Sequence, residues 1–499
     1  MGRGIVQLYA QAGIPVALYD TQPAVVAAAL KQVRDTFAML VEKGRLTADK
    51  AQAASAGLTA VEGPEGLADC DLVIEAIIER LDVKREFFAR LEAVLTADAV
   101  IVTNTSSLSV TALAAGRQHP ERIAGYHFFN PVPLMKVVEV IAAPRTAADV
   151  ITRLVELTRA VGHTPVVAQD TPGFIVNHAG RGFGTEALKT LGEGVADHPT
   201  IDRILREQTV FGGQGFKLGP FELLDLTGLD VSHAVMESIY DQYYQEPRYR
   251  PSVIGTQRVA AGLYGRKVKE GFYDYRSNAS AGSASVAEAA APTVADLPRV
   301  WVAPSERRAD VVALITELGA SVDDGATPDG ESLILLSPLG LDASTAAVEA
   351  AVDARRAVAI DTLFPFGTRA CKRRTLMVTP ATQAGWRDAA HGLLARDGAK
   401  VSVIRDSAGF VAQRVVATII AIGCEIAQQR IASPQDIDTA VRLGLGYPAG
   451  PLAMGDQLGA ARVLALLNNL SRVTQDPRYR PSLWLQRRAQ LGLSLLQAD

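Results

Sequence analysis

Three cysteines in 499 residues, Cys70, Cys371 and Cys424, stand far apart and form no CxxC pair. Neither a disulfide framework nor a zinc site follows from such spacing, and no metal is expected. The chain lacks any long run of lysine or arginine, and its formal net charge is −4. Nucleic acid and anionic membrane are therefore poor partners. No signal-peptide pattern opens the sequence and no apolar stretch reads as long enough to span a bilayer, so a cytoplasmic location is expected. No GxSxG string occurs, so a serine hydrolase is not implied. What is present is ordinary globular composition, 48% hydrophobic and 21% charged, over a length that suggests roughly three to four domains.

Apolar runs alternate with helix-like stretches through the first third of the chain. Residues 15–20 (PVALYD), 71–76 (DLVIEA), 99–104 (AVIVTN) and 123–127 (IAGYH) read as strands. Residues 4–12, about 23–43 and a stretch after Thr47 read as helices. Continuous apolar strands separated by helices indicate a parallel sheet covered on both faces. From Thr171 to about Gly265 helices dominate. Residues 277–298, rich in Ala and Ser with no apolar helical face, read as a linker.

The pattern then repeats. EPRYRPS at 246–252 returns as DPRYRPS at 476–482, and DTPGFI from Asp170 returns as DSAGFV from Asp406, at an offset of 236. Ile201 and Asp202 recur at that offset as Ile437 and Asp438. Three collinear matches indicate an internal duplication. The expected domains are 1–169, 170–276, the linker 277–298, 299–405 and 406–499.

A dinucleotide site needs a strand, a GxGxxG turn, a helix whose N-terminus faces the pyrophosphate, and an acid about 20 residues on. The chain opens MGRGIVQLYAQAG and reaches Asp20 at the end of its next strand. Gly2 fits the last glycine of that turn, and Asp20 fits the acid that bonds the adenosine ribose. The first strand and first two glycines are absent; if Met1 is internal to a longer natural protein, upstream residues are expected to supply them. By themselves Gly2 and Gly4 are equally helix-start glycines, and Asp20 is equally a strand-end turn residue.

The remaining chemistry concentrates in short strings: NTSSLS from Asn104, YHFFNPVP from Tyr126, KVVEV from Lys136, DTPGFIVN from Asp170, LGPFEL from Leu218 and KEGFY from Lys269. A side chain that takes up a proton in catalysis should titrate near the working pH, which suits His127. Glu139 follows in an apolar strand, where an unpaired acid is costly to bury. A carboxylate beside an imidazole fixes its tautomer and stabilises the imidazolium.

Together these strings resemble the 3-hydroxyacyl-CoA dehydrogenases over residues 1–276. The full length, with its duplicated tail, is similar to the long bacterial form of aromatic acid (phenylacetate) breakdown that acts, for example, on 3-hydroxyadipyl-CoA. The resemblance implies a Rossmann-type α/β dinucleotide-binding domain followed by an all-α domain, with a degenerate duplicate of both. It also implies NAD-dependent oxidation of a 3-hydroxyacyl-CoA to a 3-oxoacyl-CoA. His127 is then the base, Glu139 its orienting carboxylate, and Ser106 and Asn177 contact the substrate oxygen, with Ser106 also near the nicotinamide. Ser107 competes with Ser106. A helix N-cap and a helix-surface amide are the plainer readings of Ser106 and Asn177. Glu79, Lys84, Asn130 and Lys267 match positions that line the cofactor, although bare charges are more often solvated. Thr36 and Lys43 are candidates for touching the acyl-CoA substrate, with Arg45 adding charge for its phosphates; a plain helix surface explains them equally. Asp20, with no arginine directly after it, implies NAD over NADP.

At the duplicate positions Gln413 replaces Asn177 and Thr375 replaces Glu139. The segment answering HFFNP reads roughly LFPFG, and RVWVAPSERR carries no GxGxxG turn. The second half is expected to be structural and to pack on the first in cis, with a homo-oligomer also open. Two competing readings are a same-fold dehydrogenase of a non-CoA hydroxy acid and a non-catalytic scaffold, given the absent strand. Retention of Ser106, His127, Glu139 and Asn177 favours the enzyme.

Overall fold

The computed structural model describes residues 1–368 and 371–499, which fall into two compact units. The first unit joins Met1–His178 to Gln429–Leu445, and the second comprises Ala179–Gln428 and Gly446–Asp499. The units therefore cut across the two sequence copies, because a piece of the second copy completes the first unit.

In the first unit, β1 (Val16–Leu18) and β2 (Leu58–Ala60) form a parallel pair. A second sheet runs in the order β3 (Leu72–Glu75), β4 (Val100–Thr103), β5 (Ile123–Phe128), β6 (Val137–Ala142) and β7 (Thr164–Gln169). All its neighbours are parallel except β5 and β6. The four strands read from the sequence fall on β1, β3, β4 and β5. Among the described residues no strand joins β1 to β3.

The helix Gly2–Gln11 bridges the two sheets by being apolar on two sides. Ile5, Leu8 and Tyr9 pack with Val102, Tyr126 and Val140, while Val6 and Ala10 pack with Val26, Val33, Phe37 and Leu58. A buried hydroxyl chain pins it: Tyr9 donates to Tyr126 at 3.0 Å, and Tyr126 pairs with Thr158 at 2.7 Å. On the far side, helix Pro434–Gly444 of the second copy lies against β6 and β7. Its lead-in is stitched to β7 by the Gln169 N–H donating to Ile431 O at 2.8 Å and by an antiparallel bridge between Ala168 and Ala432.

The second unit holds the other sheet and both sets of remaining helices. Its strands are β8 (Val300–Val302), β9 (Val322–Asp323), β10 (Leu333–Leu336), β11 (Ala357–Ile360), β12 (Arg373–Val378) and β13 (Lys400–Ile404), in the spatial order β13-β12-β11-β10-β8-β9. Here β8 fills the place between β9 and β10 that has no strand in the first unit, so this sheet is continuous. Helix Arg181–Gly192 packs on helix Val411–Gln428. The approach is close enough that a Cβ on Gly182 would lie 3.1 Å from the Ile419 backbone nitrogen. Reciprocal bonds mark an approximate twofold: Arg248 donates to Arg480 O at 2.6 Å, and Arg478 donates to Arg250 O at 3.3 Å.

Two expectations change. Helix Val411–Gln428 is long and apolar enough to cross a membrane by composition, contrary to the sequence reading, but 89% of it is buried within the fold. Its apolar surface is satisfied by neighbouring helices. The segment 277–298 is also more than a loose tether, since Ser283 is buried and bonds Glu222 through both its N–H (2.8 Å) and its hydroxyl (2.7 Å). Farther along, Glu288 pairs with Arg373.

Candidate active site

The antiparallel pair β5–β6 places His127 directly opposite Glu139. Their side chains meet at 2.6 Å, from His127 Nδ1 to Glu139 Oε2, with Glu139 fully buried and His127 nearly so. The other carboxylate oxygen accepts the backbone N–H groups of Ile175 and Val176 at 2.9 and 2.8 Å. The chain reaches that position through two successive left-handed residues, Gly173 (φ 77) and Phe174 (φ 48). For phenylalanine this conformation costs about 1–3 kcal/mol and is held only by surrounding structure. It aims two consecutive amides at one oxygen, a nest for an anion. Phe129 lies 4.4 Å from the imidazole, centroid to centroid.

Above this pair sits the loop after β4. Glu79 gathers it: Oε1 accepts the Thr105 hydroxyl at 2.6 Å, the Ser106 N–H at 2.9 Å and the Ser107 hydroxyl at 3.1 Å. The Asn177 side-chain amide donates to the Ser106 carbonyl at 3.5 Å, which brings these two residues together. Ser107 spends its hydroxyl on Glu79, whereas the Ser106 hydroxyl engages no group among the described residues, which favours Ser106 of the two.

Models of one family match most of the chain. The NAD-binding domain of 3-hydroxyacyl-CoA dehydrogenase matches residues 1–171, and its C-terminal domain matches 173–275 and again 409–494. The 3-hydroxyadipyl-CoA dehydrogenase of Escherichia coli K12 is 38% identical over 98% of this chain and 96% of its own length. A probable 3-hydroxybutyryl-CoA dehydrogenase of Deinococcus radiodurans is 36% identical over 55% of this chain and 96% of its own. The crystal structure of a 3-hydroxybutyryl-CoA dehydrogenase from E. coli K12 superposes with a TM-score of 0.83 at 36% identity, covering 98% of this chain and 96% of that one. The chain belongs to the 3-hydroxyacyl-CoA dehydrogenase family. It is an NAD-dependent oxidoreductase that oxidises 3-hydroxyacyl-CoA.

Other residues of this dehydrogenase fall in and around the site. Lys84 is not a solvated charge but fully buried, 2.8 Å from Glu75 and 3.0 Å from Glu79. Burial alone would raise the Glu79 carboxyl, yet the Thr105 hydroxyl, the Lys84 charge and the Ser106 N–H together hold it below the usual range. Glu75 itself was missed by the sequence reading. It is buried at the end of β3 and binds Lys84, Thr103 and the Ile77 N–H, and the clue was an acid in the otherwise apolar string DLVIEA. Asn104, also missed as a separate element, accepts the Phe128 N–H at 2.8 Å and ties the ends of β4 and β5.

Asp20 follows β1 and accepts the Gln22 N–H at 2.9 Å, so it does form a strand-end turn. Gly2 opens the helix Gly2–Gln11, which has no side-chain cap. Asn130 is exposed in the loop after β5. Lys43 and Arg45 are exposed just past helix Pro23–Glu42, and the Thr36 hydroxyl is used within that helix, on Gln32 O. Lys267 belongs to the second unit, where it pairs with Asp230.

Strand register corrects the reading of the second copy. Pairing of Ile360 with Leu376 continues to Asp361 opposite Thr375. Asp361, not a residue of LFPFG, therefore occupies the place of His127, and the segment answering HFFNP is DTLFP.

Proposed function

We propose that His127 is the base that takes the hydroxyl proton of a 3-hydroxyacyl-CoA. The buried His127–Glu139 contact carries this reading. With Nδ1 held by the carboxylate, Nε2 is the nitrogen left for the substrate hydroxyl. The carboxylate fixes the tautomer and favours the imidazolium produced by proton transfer. Its own geometry is held by the Ile175 and Val176 amides, so little reorganisation accompanies the step. Ser106, through its free hydroxyl, and Asn177 orient the substrate oxygen.

The residues present suit NAD, which when bound supplies the hydride acceptor. Helix Gly2–Gln11 begins without a side-chain cap, leaving its first amides, from Gly2 onward, for the pyrophosphate. Asp20 would bond the adenosine ribose. Glu79 shapes the Ser106 loop, which with Asn130 would line the nicotinamide, and Lys84 would act through Glu79 rather than by direct contact. Lys43 and Arg45 are available to CoA phosphates.

The preferred substrate is a dicarboxylic acyl-CoA of the 3-hydroxyadipyl type, handled in the cytoplasm. Support comes from the nearly end-to-end likeness to a dehydrogenase named for that substrate. The test compares kcat/KM for 3-hydroxyadipyl-CoA, 3-hydroxybutyryl-CoA and the free hydroxy acids, in the parent and in His127→Ala. Preference for the adipyl ester and loss of turnover by about 10²–10⁴ in the variant are expected. Equal rates on free acids remove the CoA reading, and near-parental turnover in His127→Ala removes the base.

A further inference from the structure

The duplicated helices end differently. In the first copy, helix His198–Glu207 is followed by Gln208, a buried C-cap residue. Its side chain reaches the vestigial site of the second unit, donating to Asp361 at 2.9 Å and accepting from the Thr375 hydroxyl. By the offset that relates Ile201 to Ile437, the equivalent of Gln208 is Gly444, the last residue of helix Pro434–Gly444. In the first unit, then, the position that carries a long amide elsewhere carries nothing.

Backbone conformation does not call for that glycine, because Gly444 is absent from the positive-φ glycines. Helix propensity disfavours it, alanine being the better residue there. Space explains it. A Cβ on Gly444 would lie 2.9 and 3.1 Å from the two methyl carbons of Val176. Valine is stiff about its χ1 and cannot swing both methyls away, so its backbone must move. The Val176 N–H is one of the two amides that clamp Glu139. In the second copy, where no carboxylate needs clamping, the equivalent of Val176 is Ala412, and the helix position is free to hold glutamine.

We infer that Gly444 is a positioning residue: helix Pro434–Gly444 of the degenerate copy sets the amide clamp on Glu139, so the second half takes part in the first half's catalysis. This rests on the reading of Glu139 as the carboxylate that orients His127. The helix arrives over the outer strands β6 and β7, and Gly444 lets its last turn settle on Val176 without displacing it.

The experiment is a double-mutant cycle in the full chain with Gly444→Ala, Val176→Ala and both together, with Glu139→Gln as reference. Gly444→Ala is expected to lower kcat about ten- to hundredfold, with KM for NAD and 3-hydroxyacyl-CoA within about threefold and the pH profile of kcat displaced in the same sense as in Glu139→Gln. Removing the Val176 methyls leaves only its Cβ, 3.6 Å from the added atom, an ordinary contact. The double variant is therefore expected to return to the kcat and pH profile of Val176→Ala alone. If Gly444→Ala folds poorly, the double variant decides: recovery supports the clamp, and failure to recover overturns it. Parental kcat and pH profile in Gly444→Ala overturn it as well. If Glu139→Gln itself turns over normally, the reading of the site has failed and the inference falls with it.

Discussion

The same strand pair occurs twice in this protein with opposite contents. In the first unit it holds His127 against Glu139, and the following turn supplies two amides to the carboxylate. In the second it holds Asp361 against Thr375, and the gap is closed by two glutamines, Gln208 and Gln413, each 2.9 Å from Asp361. The backbone differs accordingly. Phe174 adopts a left-handed conformation, whereas its counterpart Phe410 has no positive φ, although Gly409 retains one (φ 70). Of these two matching turns, only the one that serves a carboxylate holds its phenylalanine in the left-handed region. The capping acids, by contrast, are kept in both copies: Asp170 binds Ser109 and Thr111, and Asp406 binds Ala343 and Ser344. Loss of chemistry has spared the scaffold.

The comparison breaks most decisively at the carboxylate. Glu139→Gln is expected to cost about 10²–10⁴ in kcat while circular dichroism stays native. Thr375→Val, at the matching place, should leave kcat within about twofold. Equal effects of the two would mean that the copies are not functionally distinct.

Removing the second copy comes next. A chain ended after Arg276 exposes the face of helix Arg181–Gly192 that packs on Val411–Gln428 and loses helix Pro434–Gly444. It is expected to aggregate or self-associate and to lose most activity, as read by light scattering and turnover. A monomer of parental stability and activity would show the second copy to be dispensable.

The cofactor sharpens the contrast further. Asp20 disfavours a 2′-phosphate, so kcat/KM with NADP should fall at least about tenfold below that with NAD. Comparable efficiencies would detach Asp20 from the ribose.

The smallest effect is a pH dependence peculiar to the second unit. Burial raises the Asp361 carboxyl from its ordinary 3.8 to about 6, against the bonds from Leu363, Gln413 and Gln208 and the Arg462 charge, which pull it down. Between roughly pH 6 and 4 the folded chain holds a proton that the unfolded chain releases. Its stability contribution therefore rises as pH falls through 6 and is complete below about 4. Relative to Asp361→Asn, the parent should gain about 1–3 kcal/mol in denaturant unfolding between pH 7 and 4.5. A flat difference would place no titrating charge there.

Much of this was legible in the residues. An acid in an apolar strand and a histidine in the strand before it pointed to a buried pair, because period-two strands fix which side chains share a face. The same clue was available at Glu75 and went unused, since its partner Lys84 lies on a helix and resembles a surface charge. The register of the second copy was misplaced by two residues because phenylalanine and proline in LFPFG imitate HFFNP; hydrogen bonding to β12 settles it. Nothing local tells which sheet helix Pro434–Gly444 will cover, because the two copies of that helix carry similar patterns and only tertiary packing separates them.

The discontinuous makeup of the first unit has a consequence for biosynthesis. Its main body ends at His178, but its closing piece begins at Gln429. At about 5–20 residues per second, the ribosome takes roughly 13–50 s to travel between them. During that interval β7 presents an uncovered edge, and the amides at Ile175 and Val176 lack the helix behind them. A nascent chain can thus carry His127 and Glu139 long before it can carry a finished active site, and maturation is timed by the last seventy-odd residues to emerge.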